Sequence, residues 1–263
     1  MPARTLRLTI AYIGTRFAGW QRQENAVGVQ QIVEEALADL LGEPLPLAGA
    51  SRTDAGVHAL AQEAHFVSAS ELPLRGLVHG LNHRLPEEVR VMAARQMGED
   101  FHARFSASGK EYLYRLSRAS TVSPFEAPFV ARAPRRIDLE VLRNAAARLH
   151  GEHDFSAFAL AGGAHRQPRR TIQAAAWEAE GAELRLRIRG DGFLRGMVRG
   201  LVGTMLEIGE GKRTLDELEV LLAGGERGAA GPTAPAQGLI LERVFYPETL
   251  VALESWPDPA VVR

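Results

Sequence analysis

Apolar and polar residues alternate from the start of the chain. Leu6, Leu8, Ile10 and Tyr12 fall on one side and Arg7, Thr9 and Ala11 on the other, the two-residue period of a half-buried strand. Ile13-Gly14-Thr15-Arg16 breaks that period. After Gly28, Val29, Ile32, Val33, Ala36, Leu37 and Leu40 recur at helical spacing, and Gly42 with Pro44 stops them. A loop at 51–58 precedes strands expected near 64–68 and 90–96. The second half repeats the recipe with a strand at 111–117 and a helix capped by Asp138 that carries Val141, Leu142, Ala145 and Leu149 up to Gly151. Strands follow at 171–178 and 183–189, where Leu184, Leu186 and Ile188 alternate with Arg185, Arg187 and Arg189. A helix is expected over 193–208 with Leu194, Met197, Val198, Leu201 and Met205 buried. Thr214 and Glu217 form a capping box for a last helix that ends at Gly224-Gly225. The Gly-, Ala- and Pro-rich stretch 224–238 reads as a surface loop. The pattern predicts an α+β fold: two α/β halves, 1–105 and 106–263, sharing a largely antiparallel sheet.

Composition narrows the function classes. The 263 residues are 46% apolar and 24% charged, a globular balance, and no stretch approaches the roughly 20 apolar residues of a membrane span. The N-terminus alternates like a strand and has no apolar signal core, so the expected location is the cytoplasm. The absence of cysteine excludes disulfides, thiolate metal sites and cysteine nucleophiles. The net charge of −1 hides an asymmetry: residues 101–200 hold 17 basic side chains against 10 acidic ones. Lys110 and Lys212 are the only lysines. Arginine forms two-pronged bonds to phosphate and stacks on bases, which suits RNA, although a coding bias gives the same composition.

Three segments could carry chemistry. In Arg52-Thr53-Asp54-Ala55-Gly56-Val57-His58, an arginine beside an aspartate keeps the carboxylate ionised for nucleophilic or electrostatic work; an Asx-turn would use the same residues. Arg195 and Arg199 lie four residues apart, on one face of the expected helix. Gly192, Gly196, Gly200 and Gly203 let something approach that helix closely, either another part of the protein or a ligand backbone. Tyr112 and Tyr114 share one strand face, where an aromatic either stacks on a base or fills the core. The eight histidines show no metal-ligand spacing, and neither phosphate-loop nor dinucleotide glycine patterns occur, so no metal, nucleotide or other cofactor is expected.

Taken together the segments resemble one family, the TruA-type tRNA pseudouridine synthases. Ala11-Tyr12-Ile13-Gly14-Thr15-Arg16-Phe17-Ala18-Gly19-Trp20-Gln21-Arg22-Gln23 is similar to its Y-D-G-(x)3-G-W-Q-R-Q start. Arg52 to His58 reproduces its R-T-D-A-G-V-H signature, with Gln62 and His65-Phe66 at family spacing. Leu81-Asn82-His83-Arg84-Leu85-Pro86 resembles its N-x-x-L-P turn, and Phe101-His102-Ala103-Arg104-Phe105-Ser106-Ala107 its F-H-A-R-F-S-A. Phe193, Met197-Val198-Arg199 and Gly203 resemble its F-x-x-x-M-V-R-x-x-V-G, and Gly238-Leu239 its late G-L turn. Two departures stand near the signature: Ser51 replaces the usual glycine before R-T-D, and Ile13 the aspartate of Y-D-G.

The resemblance implies a pseudouridine synthase fold with a central catalytic cleft. It implies that Asp54 is the catalytic aspartate, that Arg52 lies beside it, that Tyr112 stacks on the target base and that Arg199 is the aspartate's basic partner. The implied reaction breaks the N-glycosidic bond of uridine, turns the uracil and forms a C-glycosidic bond, with no metal, redox cofactor or energy source. Asp54 either attacks the anomeric carbon or takes a sugar proton. The implied substrate is the anticodon arm of tRNA, with uridines 38, 39 and 40 as targets, and the implied assembly is a homodimer. Two other classes fit some of the residues. A nucleosidase would use Asp54 as nucleophile and Glu63 as acid, and a tRNA-binding folding factor would not need Asp54 at all.

Overall fold

The structure is a computed structural model, and it describes residues 3–160 and 167–257. Among the described residues there are eleven strands, largely antiparallel in their pairing, and five α-helices, so the expected α+β class holds. The chain divides into two compact units, Met1–Ser108 with Leu241–Arg263, and Gly109–Ile240.

The first unit opens with β1 (Arg4–Tyr12), α1 (Val29–Leu41), β2 (Ala48–Gly49), β3 (His58–Ser68), α2 (Leu74–Arg84) and β4 (Val89–Met97). The second unit holds β5 (Gly109–Ser117), β6 (Ala131–Arg132), α3 (Leu139–Ala147), β7 (Gly151–Asp154), β8 (Arg169–Glu180), β9 (Glu183–Gly190), α4 (Met197–Gly209) and α5 (Leu215–Leu222). The chain then forms β10 (Leu239–Phe245) and β11 (Glu254–Trp256). Strand order in the first unit is β11-β4-β1-β3-β10, with β2 on β3; in the second it is β5-β9-β8-β7, with β6 parallel to β5. The last residues therefore group with the first unit, because β11 pairs with β4.

β1 follows its alternation. Leu6, Leu8, Ile10 and Tyr12 are buried, and α1 and α2 pack on each other so closely that a Cβ on Gly80 would lie 2.7 Å from Leu40. Each such fully buried aliphatic side chain contributes about 1.5–3 kcal/mol. α1 starts after Gly28 and ends at Gly42, whose φ of +80° lets its N–H cap Ala38. No element was expected at α2. Its apolar stripe, Leu74, Leu77, Val78 and Leu81, is interrupted by Gly76 and Gly80, and Pro73 offers no side-chain cap, so packing rather than propensity makes this helix. Asn82 fixes the helix end to β4 through a pair of bonds with the Val91 backbone, both 2.8 Å.

In the second unit Leu184, Leu186 and Ile188 are buried as expected, while Arg185 and Arg187 pair with Glu178, Glu180 and Glu183. Part of the basic excess is thus neutralised within the unit. Asp138 caps α3 through Glu140 and Val141 N–H groups, and Thr214 with Glu217 forms both halves of the capping box of α5. Two expectations need correcting. α4 starts at Met197, not near 193, because Gly196 sits at φ +70° and is no part of a right-handed helix. Arg195 therefore precedes the helix and does not share a helical face with Arg199. The 224–238 stretch is not simply a surface loop: Ala230, Gly231, Ala234 and Gly238 are buried against α4 and β5, where added Cβ atoms on Gly231 and Gly238 would meet Thr204 and Tyr114.

Candidate functional site

Residues 51–58 join β2 to β3 and are held from both ends. At the start, Gln62, fully buried in β3, donates to the Ser51 carbonyl (2.7 Å) and accepts from the Ser51 N–H (3.2 Å). At the far end the His58 ring nitrogen Nδ1 accepts from the Gly14 N–H at 3.0 Å. Between them the Thr53 and Tyr12 hydroxyls share a buried 2.7 Å bond, and the Thr53 carbonyl accepts from Trp20 N–H at 3.1 Å. With Thr53 turned inward, Arg52 is exposed and Asp54 half-exposed.

Asp54 opens a tight turn. Its carbonyl accepts from Val57 N–H at 3.1 Å, and Gly56 has φ +79°, as the third position of a type II turn requires. The segment after β1 lies backbone-to-backbone on this turn. A Cβ on Gly14 would sit 1.9 Å from the Val57 carbonyl oxygen, and one on Gly19 (φ +95°) 2.4 Å from that of Thr53. The spacing of Gly14, Gly19 and Trp20 is therefore a mould for the aspartate loop. Ser51 is accommodated because no described residue other than glycine has positive φ, so this position needs no glycine.

Tyr112 and Arg199 belong to the second unit. Tyr112 is buried on β5, opposite Ile188, and meets Phe193 edge-to-face at 5.1 Å. On the same strand face, Tyr114 is fully buried and donates to the Pro235 carbonyl at 2.8 Å. Burial pushes the Tyr114 phenol well above its ordinary pKa, partly opposed by the Arg199 charge. Arg199, in the first turn of α4, donates from Nε to the Ala234 carbonyl at 2.7 Å, while its own carbonyl accepts from Ala234 N–H at 3.0 Å. The glycines of α4 admit the protein's own backbone: a Cβ on Gly200 would lie 3.0 Å from the Phe158 carbonyl oxygen, and one on Gly203 1.7 Å from that of Pro232. The structure thus gathers Tyr112, Tyr114, Phe193 and Arg199 about the start of α4, and holds Asp54 and Arg52 in the loop of the first unit.

Sequence reasoning missed a polar cluster on the second face of β1. Arg7 donates to Glu63 at 2.7 Å, Thr9 to the other Glu63 oxygen at 2.9 Å, and Arg95 to Thr9 at 3.0 Å. The Arg7 guanidinium lies 4.1 Å above the Tyr246 ring. The signal was present in Arg7 and Thr9 on alternate positions, but their partners come from β3 and β4. Both oxygens of Glu63, the acid a nucleosidase would need, accept bonds from side chains of β1. Nearby, His65 accepts from Ala103 N–H through Nδ1 at 3.2 Å. Burial, with the neighbouring His102 adding to it, holds the His65 pKa below its ordinary 6.5, against the Ala48 backbone, which raises it. Unfolded chain then binds a proton that folded protein refuses, so stability falls as pH drops from 6.5 towards the folded value. NMR titration should find the His65 ring proton moving below pH 6.5; a midpoint at or above 6.5 would sink this reading.

Among the described residues no group of three or more His, Asp or Glu is placed to hold a metal ion, and no helix is long and apolar enough to cross a membrane. A family model described as tRNA pseudouridine synthase matches residues 8–106 and 145–247. The tRNA pseudouridine synthase A of Syntrophotalea carbinolica is 45% identical over 92% of this chain and 96% of its own length. Its namesake in Myxococcus xanthus is 44% identical over 92% and 91%, and that of Acetivibrio thermocellus 40% identical over 92% and 100%.

Proposed function

This chain belongs to the tRNA pseudouridine synthase family, and from that premise we propose that it isomerises uridine to pseudouridine at positions 38, 39 and 40 in the anticodon stem-loop of tRNAs. Membership makes it an isomerase acting on tRNA uridine. The target positions, the roles of individual residues, a homodimeric assembly and a cytoplasmic location are our reading, carried from the family resemblance.

The observation that supports it best is the aspartate loop, moulded by two glycines and pinned at Ser51, Thr53 and His58, so that Asp54 is presented on fixed backbone. Fixed geometry matters because the step is intramolecular. The base must leave the stack, lose its bond to the ribose, turn, and be recaptured through carbon before it diffuses away. In this reading Asp54 acts on the sugar, by attack at the anomeric carbon or by taking a sugar proton. Arg52 lies beside it, Tyr112 stacks on the base, and Arg199 pairs with the carboxylate. Extruding the base costs a few kcal/mol, which contacts to phosphate and 2′-hydroxyls offset.

The decisive experiment maps pseudouridine in the anticodon arm of an unmodified tRNA treated with the purified protein. Conversion at 38, 39 or 40 with the RNA mass unchanged supports the reading. Release of free uracil would instead mark a nucleosidase, and unaltered uridine with tight binding would mark a folding factor. A second expectation concerns affinity. Arginine–phosphate contacts release counterions, so the logarithm of the tRNA binding constant should fall linearly with the logarithm of salt, its slope proportional to the number of contacts. A slope near zero would remove phosphate as a main determinant of binding.

A further inference from the structure

The loop between β4 and β5 holds an aromatic ring that the reaction scheme above does not use. Phe105 is 77% exposed, yet the backbone that carries it is fully tied. Every N–H from 101 to 106 has an acceptor. Phe101 donates to Gly98 (3.1 Å) and His102 to the Ser106 hydroxyl (3.0 Å). Ala103 donates to His65 (3.2 Å), and Arg104 and Phe105 both donate to His102 Nδ1 (3.1 and 3.3 Å). Ser106 donates to the His102 carbonyl at 2.9 Å. The Ala103 carbonyl in turn accepts from the Tyr246 hydroxyl at 2.7 Å.

The loop is also anchored by its apolar residues. Phe101 and Ala103 are buried, Phe101 between His65 (5.9 Å) and Tyr246 (5.3 Å). Phe105 alone among the loop's apolar side chains is left large and outward. Its ring is backed by the His102 imidazole at 4.3 Å with a 35° tilt, so its orientation is set. The exposed Arg104 places its guanidinium 5.6 Å from the ring centroid. A flat apolar surface held rigidly in water with a cation beside it matches a nucleotide: a π-face for the base and a charge for its phosphate. Bases inside a helix have both faces covered, so such a ring engages an unpaired one. Stacking tolerates any base, which suits an enzyme that reads shape rather than sequence.

We infer that Phe105, with Arg104 beside it, is a stacking platform for an unpaired nucleobase of the substrate RNA. This rests on the reading of the chain as a tRNA-modifying enzyme, and it adds a binding residue outside the catalytic set. Because the ring is exposed, Phe105→Ala should fold and melt like the wild type.

The test uses a tRNA transcript with cytidine at 38, 39 and 40, which binds without turnover. Phe105→Ala should weaken binding by about fivefold to about a hundredfold, the range for loss of one stacked base, and Phe105→Tyr should restore most of it. With a uridine-containing transcript and saturating enzyme, the single-turnover rate of Phe105→Ala should stay within about twofold of the wild type, since stacking on a remote base is uniform binding. Phe105→Trp gives a direct signal. Its added emission should be quenched by RNA beyond any change in the wild type, whose buried Trp20 and Trp177 and half-buried Trp256 set the background.

Wild-type affinity in Phe105→Ala, or no extra quenching in Phe105→Trp, overturns the inference. So does a change in sedimentation of Phe105→Ala without RNA, which would show the ring seated on a second copy of the chain. Pseudouridine formation by the wild type is measured separately, so failure of the parent reading and failure of this one are distinguishable.

Discussion

Asp54→Asn should lower the single-turnover rate by at least about 10³-fold, about 4 kcal/mol of barrier, while tRNA binding survives. Asparagine has the shape of aspartate and lacks its charge. Both candidate steps, attack on the sugar and removal of its proton, need the ionised carboxylate. The loop itself does not depend on that charge for its bends. The turn closes through the Asp54 main-chain carbonyl, and the surrounding bonds are made by Ser51, Thr53 and His58. The variant should therefore fold, and its dissociation constant for tRNA should stay near that of the wild type. Substantial residual turnover in a stringently purified sample removes Asp54 from the catalytic role.

Arg199→Leu should cost both rate and stability, and the two losses can be separated. The side chain holds the Ala234 carbonyl, so its removal should destabilise the protein by about 1–2 kcal/mol, in the range of a lost charged hydrogen bond. If Arg199 also pairs with Asp54 as we propose, the carboxylate loses its counter-charge. The single-turnover rate of the folded variant should then fall by at least about tenfold, about 1.4 kcal/mol of barrier. Arg199→Lys keeps the charge without the planar fork and should recover part of the rate. Arg195 serves as the comparison, because it is exposed and lies before the helix. A wild-type single-turnover rate in Arg199→Leu, with only the melting temperature reduced, would leave Arg199 as a brace for the 230–234 loop and nothing more.

Much of the candidate site was legible before any coordinates. Arg52, Asp54 and Arg199 sit in ordered motifs whose joint spacing is specific to one family. The strands of 4–12 and 183–190 are written in a two-residue period, and the helix ends at Gly42, Asp138 and Thr214 in capping chemistry. These signals are local: a cap, a turn glycine or an alternation acts within about four residues of itself, so a linear reading finds it. The helix at 74–84 escaped because Gly76 and Gly80 lower its intrinsic propensity and Pro73 offers it no side-chain cap, and the energy that forms it comes from burial against β4 and α1.

What the sequence determined by itself is therefore the six longest strands, four of the five α-helices, the aspartate loop and the family. What only the tertiary structure decided is the use made of residues whose partners are distant in the chain. Gly14 and Gly19 fit against the backbone of 53–57, and Tyr12 bonds Thr53. The glycines of α4, equally suited to a ligand or to another part of the protein, admit the carbonyls of Phe158 and Pro232. Glu63, open to an acid's role on paper, is committed to Arg7 and Thr9. Phe105, one apolar residue among many, is left in water while its neighbours are buried. The physical reason is the same each time: propensity and periodicity are properties of neighbouring residues, whereas close approach, hydrogen-bond partnership and exposure are set by which surfaces meet when the whole chain has folded.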